Sequence, residues 1–273
     1  MAVALADLPA ELLAAEILPR CVLFAPALRV VCRLWRAVAS DKAFPPRASR
    51  GEGLSHLAEE GHEALLAWVR AQRYAPFTEG QANNILCGAA RGGHERLCVL
   101  AKAWGAINFD GMLRYAAGGG REAPCRLAME WGATDYDSML CCATRNGHEA
   151  LCRLAKAWGA TNFGDMLWTA AGRGHEPLCI LAKAWGATNF GDMLWTAASH
   201  GHEAVCVLAK GWGATDCDSM LCHAAYGGHE ALCRLAKEWG ATNFDGMLRS
   251  AIASDKEAIR LLAVEWKAAQ AVS

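Results

Sequence analysis

Along residues 137–163 the apolar positions fall into two short helical runs separated by a polar turn. Met139, Leu140 and Ala143 share one face of a first helix, helix A, with Asp137 as its expected N-cap and an end before Gly147. Gly147 suits a left-handed turn, and Glu149 sits where a helix N-terminus favours an anion. Leu151, Leu154, Ala155 and Trp158 then recur at helical spacing up to Gly159. This second run is helix B.

The pattern recurs with a period of 27 residues. It sets the positions of Trp104, Trp131, Trp158, Trp185, Trp212, Trp239 and Trp266, and of Met112, Met139, Met166, Met193, Met220 and Met247. Residues 154–171 and 181–198 are the same string, LAKAWGATNFGDMLWTAA. Tandem units of this kind form a solenoid in which each unit contacts its neighbours. Seven units run from Asn83 to Ala271, and Pro124 and Pro177 fall in the first turn of helix B, where a missing N–H costs little. A degenerate earlier unit keeps Gly61-His62-Glu63 and Leu65-Leu66, with a longer loop expected around Pro76. In the last unit Lys256 and Arg260 replace the repeated histidine and cysteine, polar swaps suited to an end that no further unit covers. The expected organisation is a module at 1–44, a linker at 45–52, the degenerate unit at 53–82, and the seven repeats with a C-terminal cap at 83–273.

A chain of 273 residues that is 53% hydrophobic and 20% charged can bury a large core, which excludes wholesale disorder. The net charge of −1, without a basic run, argues against nucleic acid or an anionic membrane surface as partner. The apolar stretch Cys21 to Leu28 is far short of the roughly 20 residues of a membrane span, and Asp7 with no preceding Lys or Arg spoils a signal peptide. The chain reads as soluble, intracellular and monomeric. Of its 13 cysteines, Cys98, Cys125, Cys152, Cys179, Cys206 and Cys233 follow the period. Units stacked at roughly 8–10 Å would hold equivalent cysteines beyond disulfide reach, so they read as small buried hydrophobes.

The consensus ML-x-x-AA-x-x-GHE-x-LC-x-LAK-x-WGA resembles the ankyrin repeat, with its TPLH-x-AA-x-x-GH helix pair and terminal GA, over about two thirds of the chain. Ankyrin units are about 33 residues long, and the residues missing here are those of the projecting β-hairpin finger. The resemblance, closest to the finger-poor ankyrin arrays of giant amoebal DNA viruses, implies an all-α, ankyrin-like solenoid of helix pairs lacking fingers.

Residues 1–50 carry five of the eight prolines and no copy of the repeat. Leu8-Pro9-Ala10-Glu11-Leu12-Leu13, then Ile17-Leu18, then Val31-Cys32-Arg33-Leu34-Trp35 resemble an F-box, a small helical module. The family's polar Asp-Leu helix start is replaced by residues 20–26. The resemblance implies docking on the Skp linker of a cullin-RING ubiquitin ligase, with Leu8, Pro9, Leu12, Ile17 and Leu18 as the docking surface. The alternative is that these residues only cap the solenoid, which then acts as a scaffold or competitive binding protein without a ligase. The resemblance implies a cytoplasmic site of action, in a host cytoplasm or nucleus if the chain is viral.

Five units place His and Cys four apart, as in His148/Cys152, a spacing that also suits metal ligands. A site remade in every unit is better read as structure, the histidine making local hydrogen bonds at the start of helix B. No unique, activated pair suggests catalysis, and no cofactor is expected. The Lys row from Lys102 to Lys237 reads as a solvated face, and the Trp ladder as rings that stack along the array and bury one another. Binding is expected where units differ. In ankyrin proteins the pair before each turn lines the concave surface; here it supplies Arg145, Asn146, Arg173, His200 and Tyr226. The variable helix A positions add Arg114, Tyr115, Trp168, Trp195 and His223, with Trp168 and Trp195 placed to form one apolar patch. The expected function is a non-enzymatic adaptor between a ubiquitin ligase and a target protein.

Overall fold

The computed structural model describes residues 50–71 and 76–271, and all its regular elements are helices; no strand occurs among the described residues. The N-terminal module, with Leu8, Pro9, Leu12, Ile17 and Leu18, lies outside the described residues. Two compact units are present, Met1–Cys142 and Ala143–Ser273.

In the first unit the helices are α1 (Arg50–Glu59), α2 (Glu63–Ala71), α3 (Glu79–Gly92), α4 (Glu95–Ala103), α5 (Phe109–Gly118), α6 (Glu122–Glu130) and most of α7 (Tyr136–Arg145). The second contains the end of α7, then α8 (Glu149–Trp158), α9 (Phe163–Arg173), α10 (Glu176–Ala184), α11 (Phe190–His200) and α12 (Glu203–Gly211). After these come α13 (Cys217–Gly227), α14 (Glu230–Glu238), α15 (Phe244–Ala253) and α16 (Glu257–Gln270). Odd-numbered helices correspond to helix A and even-numbered ones to helix B. Since α1 starts at Arg50, the last residues of the expected 45–52 linker are helical.

Within each unit the helix pairs stack in chain order, a solenoid-like arrangement. Each odd helix packs on its even partner and on the next odd helix, while the even helices touch one another more sparsely. Small residues permit this. Ala170-Ala171, Ala197-Ala198 and Ala224-Ala225 are fully buried between odd helices, and a Cβ on Gly227 would collide with the Ser199 carbonyl of the preceding one. Met166, Met193 and Met220 fill the remaining space with no exposed surface.

The N-caps lie two residues before the expected position. Asp135, not Asp137, accepts from the Ser138 amide (3.1 Å), as Asn108, Asn162, Asp216 and Asn243 accept from the amides three residues on. The position of Asp137 has a different use in other repeats. Asp110 Oδ1 accepts from the amides of Thr134 and Asp135 in the next loop, at 2.8 and 3.0 Å. Asn83 and Asp218 do the same to Ile107/Asn108 and Thr242/Asn243. These carboxylate and amide clamps hold one repeat's loop to the next. The duplicated repeats carry Gly164 and Gly191 at this position, and there Asn189 Nδ2 donates back to the Gly164 carbonyl (3.3 Å).

His62 bonds locally, to Glu60 (2.9 Å), but in later repeats the histidine of the Gly-His turn reaches across the repeat boundary. His94 Nε2 pairs with the Glu59 carbonyl (3.0 Å), His202 with Gly172 (3.2 Å) and His229 with Ser199 (3.2 Å), each reaching the last turn of the preceding odd helix. Arg121, which replaces a histidine, donates from Nε to the Arg91 carbonyl. An unsatisfied helix-end carbonyl is thereby paired across the repeat boundary. The ring closes on the preceding turn glycine as well. At Gly174, φ is +71°, and an added Cβ would lie 2.7 Å from His202 Nδ1.

Candidate functional site

The even helices start with the repeated glutamate, and this determines the chemistry of their outer face. Arg126, Arg153 and Arg234 each bond the glutamate four residues earlier, Glu122, Glu149 and Glu230, at 2.6 Å. Where the arginine is absent, Val99, Ile180, Val207 and Leu261 are exposed instead, a row the sequence analysis overlooked.

The repeated His and Cys do not converge on a shared ligand site. The histidine reaches back to the preceding repeat, whereas the cysteine is fully buried, with Cys125 Sγ 3.9 Å from the Leu113 carbonyl and Cys206 Sγ 3.7 Å from that of Leu194. Burial, reinforced by the glutamate three residues earlier, pushes the thiols of Cys98, Cys125, Cys179, Cys206 and Cys233 up to about 12. Thiols held neutral in this way are packing groups and not nucleophiles. The repeated cysteines are free, as expected.

Two structural rows differ from expectation. In four repeats the Trp packs on a Phe and not on another Trp: Trp131 on Phe109 (5.5 Å between centroids), Trp185 on Phe163, Trp212 on Phe190 and Trp266 on Phe244. The lysines are more than a solvated face. Lys102 Nζ sits 4.2 Å from the Trp131 centroid, Lys156 4.7 Å from Trp185, Lys183 4.5 Å from Trp212 and Lys237 4.3 Å from Trp266. Each of these four Trp is clasped between a Phe and the Lys of the preceding even helix, so both rows serve the stacking there.

The odd helices present the variable face. Among the described residues the exposed aromatic side chains are Tyr115 (45%), Trp168 (48%) and Tyr226 (56%), all on odd helices. Arg114, Arg145, Asn146, Arg173 and His200 are exposed as well, on α5, α7, α9 and α11 or at their ends. Trp195 and His223 are half-buried. The Trp195 ring turns to His223 (4.9 Å) and its Nε1 donates to Asp192 (3.3 Å), so this pair takes the place of the expected joint Trp168–Trp195 patch. Residues 143–273 thus bring together Arg145, Trp168, Arg173, Trp195, His200, His223 and Tyr226 on successive odd helices; Arg114 and Tyr115 belong to the first unit. Arg249 on α15 joins the row and was missed. It stands 27 residues after Cys222, so the period itself marks its place.

The carboxylates of these helices lie in the first turns and are engaged. Asp165 accepts from Asn162 (2.5 Å), Asp192 from Trp195, Asp218 from two backbone amides, and Asp245 pairs with Lys267 (2.5 Å). The Ser219 hydroxyl and amide hold Asp216 below the usual carboxylate range. By contrast, Arg114, Arg145, Arg173 and Arg249 have no carboxylate within ion-pair distance among the described residues. No helix among the described residues is long and apolar enough to cross a membrane. No protein-family model matches the chain, and no curated protein matches it.

Proposed function

We propose that the protein is a non-enzymatic adaptor, a finger-less relative of ankyrin-repeat proteins that grips a target protein with its odd-helix face. The observation that carries this reading is the division of labour within each repeat. The seam residues barely change from unit to unit, whereas the neighbouring positions on the odd helices vary and bear the exposed aromatics and unpaired arginines typical of interface anchors. The F-box-like sequence at Leu8, Pro9, Leu12, Ile17 and Leu18 adds the second half: recruitment of a cullin-RING ubiquitin ligase through its Skp linker.

The test is a pull-down of the purified full chain with the Skp linker, beside a Leu8→Asp/Leu12→Asp variant. Retention of the wild type alone, with helix content by circular dichroism equal in both, is the expected result. If neither chain is retained, the ligase half fails and the protein is a scaffold or competitive binder. Unfolding of the variant would mean that residues 1–44 act as a solenoid cap.

A further inference from the structure

Arginines of the second unit fall into two classes. Arg153 and Arg234, on even helices, are neutralised by their own glutamates, whereas Arg145, Arg173 and Arg249, on odd helices, are not. Four first-turn aspartates share the odd helices and are engaged, as described. Asp165 stands eight residues from Arg173, about 12 Å along the axis of α9, too far to neutralise it. The carboxylates of the odd helices therefore lie at their N-terminal ends, whereas Arg145 and Arg173 stand at the C-terminal ends of α7 and α9 with no carboxylate in ion-pair reach.

The exposed aromatic groups share the odd helices with those cations. Trp168 is on α9, five residues before Arg173, and His200 on the next odd helix lies against Gly172 of α9. Tyr226 follows on α13.

Resting on the adaptor reading, we infer that the odd-helix face of residues 143–273 binds an acidic, extended segment of the partner, its carboxylates on Arg145 and Arg173 and an apolar side chain on Trp168. Charge complementarity selects the acidic segment: a guanidinium without a carboxylate of its own pairs bidentately with one from a ligand. Spacing selects the extended form. Packed helices stand roughly 8–10 Å apart and an extended chain advances about 3.3 Å per residue, so every third residue meets the next odd helix. A nucleic-acid backbone fits less well, because two arginines at the ends of neighbouring odd helices, in a chain of net charge −1, do not form a continuous phosphate track.

The test is selection of a randomised displayed peptide library on the purified full chain, followed by fluorescence anisotropy with the recovered peptide. Recovered sequences should be enriched in Asp and Glu, and each of Arg145→Glu and Arg173→Glu should weaken binding about tenfold. Arg153→Glu, on the even-helix face, should leave it unchanged, and added salt should weaken it. Circular dichroism of every variant controls for folding. Recovery of no peptide, or equal loss in Arg153→Glu, overturns the inference. Displacement of the peptide by a single-stranded oligouridine would overturn it in favour of nucleic acid. Neutral or basic peptides that still depend on Trp168 would overturn the acidic ligand and leave the adaptor's binding face standing; peptides indifferent to both Trp168 and the arginines would remove both.

Discussion

The two faces of the array use the same residue types to opposite ends. On the even helices Arg153 and Arg234 are closed by glutamates one turn earlier, and Ile180 and Val207 occupy the equivalent positions without visible consequence. On the odd helices the first turn is committed to clamps and caps, so Arg145, Arg173 and Arg249 keep their charge unpaired beside exposed aromatics. Arg145 and Arg173 are available because Cys141 and Thr169, not carboxylates, stand one turn earlier, and Arg249 because Asp245, one turn earlier, is taken by Lys267.

Beneath both faces runs a seam of buried cysteines, histidine staples and Trp–Lys clasps, and its sensitivity should set it apart from the faces. The largest effect is expected at high pH. The folded seam holds five repeat thiols protonated up to about 12, against about 9 in the unfolded chain. Their contribution is fully present below pH 9 and is lost as the pH rises toward 12, because the unfolded state ionises first. Urea unfolding midpoints measured across that range should be flat and then fall, with the same profile in odd-face variants such as Arg173→Gln. Next comes Gly174→Ala, which forces a side chain into a left-handed turn against His202 and should cost about 2 kcal/mol in urea denaturation. The smallest is Lys183→Ala, which removes the cation over Trp212 and should cost about 0.5 kcal/mol; no measurable loss would return the Lys row to a solvated face.

The helix pairs, their turns and the buried Met and Cys rows were legible because each follows from periodicity and side-chain size. Partners without a residue-type signature were not. The acceptor of His202 is a backbone carbonyl 30 residues earlier, and any residue at position 172 would present one. The cap moved from Asp137 to Asp135 because both positions carry a residue able to cap; only the path of the loop assigns Asp135 to the cap, and Asp110 and Asp218, the counterparts of Asp137, to the clamp. Of the candidate binding face, the variable positions were readable. That Trp195 turns to His223 while Trp168 stays exposed was not, since the two tryptophans lie in identical local sequence and differ only in the repeat that follows.

The most direct measurement is photocrosslinking from a benzophenone amino acid at Trp168 on the odd-helix face or at Ile180 on the even-helix face, two side chains of nearly equal exposure (48% and 52%). In cells expressing the full chain, one discrete protein adduct from position 168 and none from position 180 is the predicted result. The same adduct from both positions, or one from 180 alone, would contradict an odd-helix binding face.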